Sequence, residues 1–387
     1  MARLIKENLF LINATDWNRR LFDSLIPLPD GTSYNAYLIK GSEKTVLIDT
    51  VDPDMADTLF YHLADVPKID IIVSLHSEQD HSGSISLVLE RYPDAKIVTS
   101  PKGKTMLKEH LLIPEEIISV VEDGEELSLG DKTLKFIHFP WVHWPETMLA
   151  YLKEDKVLFT CDFLGSHLAT TDMYVTDESL VYEAAKRYYA EIMMPFRTII
   201  QKNFPKLDEY EIEIVAPSHG PMYDNPKFII DAYKDWLSDT PKDCVVIPYI
   251  SMHGSVGKMI DHLVFALEER GVKAYKFDLT VTDIGKLAIT LVDAKTIIVG
   301  TPTVLGEPHP LVSYAVKLAN LLKPKVQYAS VIASYGWGGK TVDKVVEMIP
   351  NLKVELIEPV FIQGFPKEED LKAIEKMADS IKEKHSA

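Results

Sequence analysis

Cysteine is nearly missing from this chain: Cys161 and Cys244 are the two in 387 residues. Two cysteines make no disulfide framework and no cysteine-based zinc or iron–sulfur site. Both stand at the ends of expected strands, where a small residue packs well in an interior. Long apolar runs are missing too, and none approaches the ~18 residues that a membrane helix needs. The opening residues, Met1-Ala2-Arg3-Leu4-Ile5-Lys6, have neither the apolar core nor the cleavage site of a signal peptide. These absences predict a cytoplasmic protein with no membrane partner. Positive charge is scarce: 41 basic against 58 acidic residues leave a net charge of −17. With no basic stripe, nucleic acid is not expected as a partner. There is no internal repeat and no low-complexity tract. The apolar fraction of 46% and charged fraction of 26% are those of an ordinary globular protein. The length predicts two or three domains.

The densest chemistry lies in His76-Ser77-Glu78-Gln79-Asp80-His81. An apolar run, Ile69 to Leu75, precedes it and reads as a buried strand. Ser82-Gly83-Ser84 and an apolar-periodic segment to Tyr92 follow and read as a helix opening. Two imidazoles and two carboxylates therefore share the loop between a strand end and a helix start. Bare carboxylates at such range repel and raise one another's pKa. A metal ion removes that penalty and takes the imidazole nitrogens as well. A solvated polar loop is the rival reading, but ligand sites favour the carboxyl ends of buried strands.

Three more residues sit just past expected strands. His143 lies in Pro140-Trp141-Val142-His143-Trp144-Pro145. Asp162 follows Val157-Leu158-Phe159-Thr160-Cys161. His219 follows the strand expected at Ile212–Ala216. If these strand ends share one edge, four imidazoles (His76, His81, His143, His219) and three carboxylates (Glu78, Asp80, Asp162) converge. Two metals sharing one bridging carboxylate use all seven. The other histidines read as structural, with His167 and His253 the two that could lie beside a metal or a flavin.

Along the chain, residues 1–35 hold short apolar runs interrupted by Pro27, Pro29, Asp30 and Gly31. Tyr34–Ile39 and Lys44–Asp49 read as a hairpin, Met55–Ala64 as a helix and residues 180–203 as one longer helix. The pattern stops near Ser238-Asp239-Thr240-Pro241-Lys242-Asp243, a polar linker candidate. Beyond it, strands expected at Cys244–Tyr249, Lys273–Phe277, Thr296–Gly300, Val326–Ala333 and Lys353–Pro359 alternate with helices, the last at Glu368–Glu383. That alternation predicts a doubly wound parallel sheet. The domains are expected at residues 1–240 and 244–387.

The first ~240 residues resemble the metallo-β-lactamase fold, whose hydrolases carry His-x-His-x-Asp-His and bind zinc. Here Glu78 fills the second histidine's place. An anionic oxygen ligand favours iron over zinc. With the second domain, His76-x-Glu78-x-Asp80-His81 is similar to the flavodiiron proteins. That resemblance implies an N-terminal metallo-β-lactamase-like αββα sandwich followed by a C-terminal flavodoxin-like sheet. It further implies that His76, Glu78 and His143 hold one iron, that Asp80, His81 and His219 hold the other, and that Asp162 bridges them.

Tyr249-Ile250-Ser251-Met252-His253-Gly254-Ser255-Val256 follows the first strand of the second domain and opens a helix. Hydroxyls, a glycine and free N–H groups at a helix start make an anion site. No P-loop lysine and no Gly-x-Gly-x-x-Gly is present, which favours a monophosphate such as that of FMN over a dinucleotide or ATP. Two further loops follow strands: Thr301-Pro302-Thr303-Val304-Leu305-Gly306 and Ser334-Tyr335-Gly336-Trp337-Gly338-Gly339. Tyr335 and Trp337 are candidates to stack on an isoalloxazine ring. The domain resembles flavodoxin, departing from it at Ile250 and at Val256, where flavodoxins usually carry a threonine.

Electron counting selects the reaction. Two ferrous ions and a reduced flavin hold four electrons, enough to take O₂ to two waters, and two electrons take two NO to N₂O and water. The expected function is thus an oxygen reductase, nitric oxide reductase or both, with FMN feeding a di-iron centre. The resemblance implies a homodimer or dimer of dimers, and a separate donor such as rubredoxin or reduced coenzyme F420. The alternatives are a zinc hydrolase with an appended flavodoxin-like module and a non-catalytic electron-transfer module.

Overall fold

The computed structural model describes residues 2–386. It divides into two compact units, the first ending at Leu237 and the second starting at Ser238.

In the first unit, period-two alternation explains both sheets. Val46 and Ile48 of strand Thr45–Ile48 enter one apolar cluster, and Leu47 between them enters another. Ile71 and Val73 flank Ile72 in the same way. A strand covered on both faces must read as a continuous apolar run. Seven strands form the first sheet, in the order Arg3–Lys6, Leu9–Asp16, Thr32–Lys40, Thr45–Ile48, Ile71–Val73, Lys96–Thr99, Ile118–Val120. Its pairing is antiparallel as far as Thr45–Ile48 and parallel beyond. The second sheet holds five strands: Glu126–Ser128, Thr133–His138, Met148–Leu152, Val157–Cys161 and Ile214–Pro217. Between the sheets lie Tyr37, Ile48 and Val73 against Phe136, Met148 and Phe159. On the outer face of the first sheet, Leu59, Leu63, Ile85, Val88 and Leu107 cover it from helices and their ends. Beyond the second sheet, Tyr233 of helix Pro226–Leu237 meets Phe163 edge to face. The result is the αββα sandwich.

Two expectations are corrected. Residues 1–35 are not merely broken runs: Leu9–Asp16 pairs along its whole length with Thr32–Lys40. The long helix expected over residues 180–203 is broken. Helix Glu178–Tyr188 passes into a π turn at Tyr189–Met193, a 3₁₀ turn at Met194–Phe196 and a second helix, Arg197–Asn203. Pro195 lacks the N–H that would continue the helical ladder, and its ring clashes with the preceding turn.

The second unit is wound as expected. Its strands stand in the order Lys273–Asp278, Lys242–Tyr249, Ala294–Val304, Tyr328–Tyr335, then Glu355–Leu356 with Val360–Gln363, the five positions being parallel. Numbered along the chain this is 2-1-3-4-5, the flavodoxin-like order. Helices Ser255–Glu269 and Glu368–Ser386 cover one face through Leu263 and Ile381. Ile284–Leu291, Pro310–Leu322 and Thr341–Glu347 cover the other through Leu287, Val316 and Val345. The single strand expected at Lys353–Pro359 is instead two short ones, split where Pro359 cannot donate to the ladder. No helix among the described residues is long and apolar enough to cross a membrane.

The Phe136 ring is fully buried between the two sheets. Phe136→Ala is expected to destabilise the protein by about 3–5 kcal/mol in urea denaturation. A loss below about 1 kcal/mol would mean the sheets do not pack through this ring.

Candidate functional site

Strand ends bring the seven residues together. Glu78 caps the short helix Gln79–Ser82, which carries Asp80 and His81. Ser82 Oγ donates to the carbonyls of Ser77 and Glu78, at 2.8 and 2.9 Å, closing the turn. Asp162 follows a strand whose pairing with Ile214–Pro217 slips between Phe159 and Cys161. Cys161 itself is left-handed, at φ 50°. Such irregularities re-aim the next side chain. His219 sits on a turn that strand Thr32–Lys40 grips from the other sheet. Asn35 Nδ2 donates to Pro217 and Gly220 carbonyls at 2.9 and 2.8 Å, and Tyr37 Oη to Pro217 at 2.7 Å. Gly220 is required there: at φ 79°, its Cβ would lie 2.1 Å from Ser166 Oγ.

The two oxygens of Asp162 face two different groups. Oδ2 lies 3.0 Å from His143 Nε2 and 3.3 Å from His76 Nε2, and both imidazoles also meet Glu78 Oε2, at 3.2 and 3.1 Å. Oδ1 lies 2.8 Å from His81 Nε2 and 3.3 Å from His219 Nε2. Those two nitrogens meet Asp80 Oδ1 and Oδ2, at 3.3 and 3.2 Å. Each group is compact enough for its donors to share one ion. Separations near 3 Å are what donors ~2.1 Å from a common metal leave between one another. Both Asp80 oxygens, both His81 nitrogens and Asp162 Oδ1 are buried without a hydrogen bond of good geometry. Buried polar atoms are rarely left so, and a cation pair fits these donors where a neutral ligand does not.

Without metal, the imidazoles carry the compensating charge. Burial disfavours charged His219, but Asp162 and Asp80 outweigh it and push its pKa up to about 10. His143 is likewise opposed by burial and raised to about 8 by Asp162 and Glu78. Burial pushes the Asp162 carboxyl up, yet His81, His143 and His219 hold it well below the usual range. Glu78 is lowered in the same way by His143 and His76.

Two residues unnoticed in the sequence orient this set. Glu146 Oε1 lies 2.7 Å from His76 Nδ1 and accepts from Ser77 N at 2.9 Å, fixing the ring and its loop together. Its signal was a lone carboxylate between a candidate ligand and the apolar strand Met148–Leu152. Asp49 accepts from Leu75 N at 2.8 Å, and burial raises its pKa to about 6. The far nitrogen of His219 donates to Ser33 O at 2.8 Å. Trp144 stands edge-on to His76 with centroids 5.0 Å apart, and Phe196 lies 6.3 Å from His143.

In the second unit, Gly254 at φ 84° opens helix Ser255–Glu269, and Ser251 Oγ accepts from Gly257 N at 2.9 Å. The Val256 side chain is in the core, so only its backbone is available to a ligand. Thr301 to Val304 are not a loop: strand Ala294–Val304 continues through them and turns at Leu305-Gly306 into a hairpin with Glu307–Pro308. The Thr301 hydroxyl is spent on Pro302 O and His309 N. Tyr335 ends its strand and packs on Phe361 at 4.6 Å. Met252, Leu305 and Trp337 stand exposed at 51%, 90% and 81%, each on a segment following a parallel strand. Exposed apolar tips there are available to cover a flat ring.

Fold and site together define a class: a metallo-β-lactamase-like sandwich carrying a paired metal-ligand set, followed by a flavodoxin-like unit. Residues 32–220 match the family described as ODP family beta lactamase. A nitric oxide reductase of Moorella thermoacetica is 34% identical over 95% of this chain and 94% of its own. Flavo-diiron protein FprA2 of Clostridium acetobutylicum is 30% identical over 97% and 98%. Among solved structures, rubredoxin oxygen:oxidoreductase of Desulfovibrio gigas superposes with a TM-score of 0.96 at 28% identity, covering 100% of this chain and 99% of that one. The chain belongs to the flavodiiron protein family.

Two predictions follow from the charges and from Glu146. The His143 and His219 values lie above the ~6.5 of an unfolded imidazole. Their ion pairs therefore stabilise the metal-free protein fully below pH ~6.5 and are lost as pH rises through about 8 and then about 10. Metal uptake at pH 7 is expected to release protons, measurable with an indicator dye, and the release should shrink as pH passes those two values. No release at pH 7 contradicts the charge assignment. Glu146→Ala removes the acceptor that orients His76 and is expected to weaken metal retention by about 10–100-fold in a chelator competition.

Proposed function

We propose that this oxidoreductase reduces dioxygen to water, nitric oxide to nitrous oxide, or both, and draws its electrons through FMN. His76, Glu78 and His143 hold one iron, Asp80, His81 and His219 the other, and Asp162 bridges them. The observation that carries the reading is the split of Asp162, one oxygen toward each set. When bound, the iron pair and the flavin supply the redox chemistry and the seat for the gas.

The chain's own residues bind, orient and enclose. Glu146 and Ser33 O fix the His76 and His219 rings from behind, so that each offers its Nε2. Trp144 and Phe196 line the ligand set with apolar surface and keep bulk water from the reacting atoms. Glu78 supplies an anionic oxygen where zinc hydrolases of the fold have a histidine, which selects iron. In the second unit, backbone N–H groups of Gly254, Ser255 and Val256, with the Ser251 and Ser255 hydroxyls, take the FMN phosphate at the start of a 15-residue helix. Met252 and Trp337, with the segments 301–306 and 334–339, surround the isoalloxazine ring. His253 lies on the same phosphate loop.

The partners belong to the same proposal. The donor is a separate protein or coenzyme, rubredoxin or reduced coenzyme F420, and the chain works in the cytoplasm. It assembles as a homodimer or dimer of dimers in which one copy's FMN serves the other's irons.

The test is anaerobic turnover: protein reduced by each donor in turn, then given O₂ or NO. Consumption of at least one gas is expected, with flavin reoxidised. Asp162→Asn is expected to lose both metals and both activities yet keep its FMN. Reduced native protein that consumes neither gas would contradict the proposal.

A further inference from the structure

A gap in the packing of the second unit falls where its edge strand is broken. Tyr328 and Ala329 pair with Glu355 and Leu356, and pairing resumes between Ile332 and Val360. Two residues, Ser330 and Val331, therefore stand opposite three, Ile357, Glu358 and Pro359, and the ladder slips across them. Pro359 has no N–H with which to mend it. Beside this slip, between the sheet and the helices Pro310–Leu322 and Thr341–Glu347, lies a crevice of about 20 Å³.

Its walls are apolar throughout. Ile297, Val299 and Val331 line it from the sheet, Ala319 and Val345 from the two helices, and Leu356 stands at its rim. The first five are buried and Leu356 is 50% exposed, so the crevice is blind within and reached from the edge of the sheet. Ser330 also borders it, but its hydroxyl is turned to Glu358 O at 3.3 Å. No polar atom faces the space.

Size and chemistry together select the occupant. Protein interiors are close-packed, and voids that admit even a water are few in a domain. The atoms lining such a void forgo the dispersion contacts that a guest restores. A buried water needs ~2–4 polar partners, and none is offered here, so the crevice stays dry. A charged or polar ligand would give up its hydration for nothing in return. Holding one water-sized molecule takes roughly 10–15 Å³, so this space takes a single small guest and excludes an aromatic ring or an alkyl chain.

We propose that the crevice is a binding site for one small apolar gas molecule, of the class to which dioxygen and nitric oxide belong. It needs neither iron nor flavin, so it stands or falls apart from the metal reading. It gives the second unit a place of its own for the gases of the proposed reaction, in addition to any seat at the metal-ligand set.

The test uses oxidised holoprotein with no electron donor, and xenon as the probe. Crystals held under xenon pressure are expected to show an anomalous peak among Val299, Val331 and Val345. Val331→Ile adds one carbon to the wall and is expected to abolish that peak while FMN content stays native. Because the carbon enters empty space, thermal stability should hold or rise, whereas overpacking a full core would lower it. Should Val331→Ile fail to fold, Val345→Ile is scored in the same way. Dissolved dioxygen, which is paramagnetic, supplies the second measurement by methyl NMR. It should speed relaxation of the Val299 methyls more than those of Ile298, equally deep in the same strand but packed on the opposite face. A native crystal with no xenon in the crevice overturns the proposal. So does a peak that survives in the folded, filled variant, or a dioxygen effect no larger at Val299 than at Ile298. Each of these failures would leave the account of the metal-ligand set as it stands.

Discussion

Asp162 is the constraint from which the rest follows. It is a buried carboxylate whose two oxygens serve two separate sets of imidazoles. With Glu78 and Asp80 it places three carboxylates in a space where water cannot solvate them. Uncompensated, that arrangement is prohibitively costly. The same carboxylates raise the pKa of His143 to about 8 and of His219 to about 10, which favours protons on those rings when no metal is bound. Metal ions displace those protons and use the same lone pairs. Either way positive charge lies among the three carboxylates, but a pair of cations also satisfies the orphaned oxygens of Asp80 and the Nε2 of His81.

The scaffold serves that balance. Neither sheet alone carries the seven residues. Asn35 and Tyr37, on the first sheet, grip the turn that carries His219 at the end of the second. Met148 N, on the second, donates to Leu75 O beside His76, on the first, at 3.0 Å. Left-handed backbone at Asp49, Trp141, Cys161 and Leu164 lies next to these contacts. Strain of this kind persists where surrounding structure over-determines it, and it clusters at functional sites.

Much of this was legible in the sequence because strand ends are legible. An apolar run that stops at His76, Asp162 or His219 marks a carboxyl edge without any knowledge of the partner strand. Glu78 in a histidine's place carried the choice of metal. The parallel order of the second unit followed from regular alternation. Three things were hidden for physical reasons. Glu146 looks like any loop carboxylate until the chain folds back and lays it against His76. The break in residues 180–203 depends on Pro195 ending a ladder that apolar periodicity alone continues. The segment Thr301–Val304 read as a loop because Pro302 discourages strand assignment, yet the strand runs through it at the point where a hairpin begins.

The central claim is that Asp162 bridges two irons. Crystals of protein made under iron-replete conditions, measured by anomalous scattering at the iron edge, test it most directly. Two iron peaks are expected, one beside each oxygen of the Asp162 carboxylate. A single peak, or two that vanish at the iron edge and persist at the zinc edge, would contradict it.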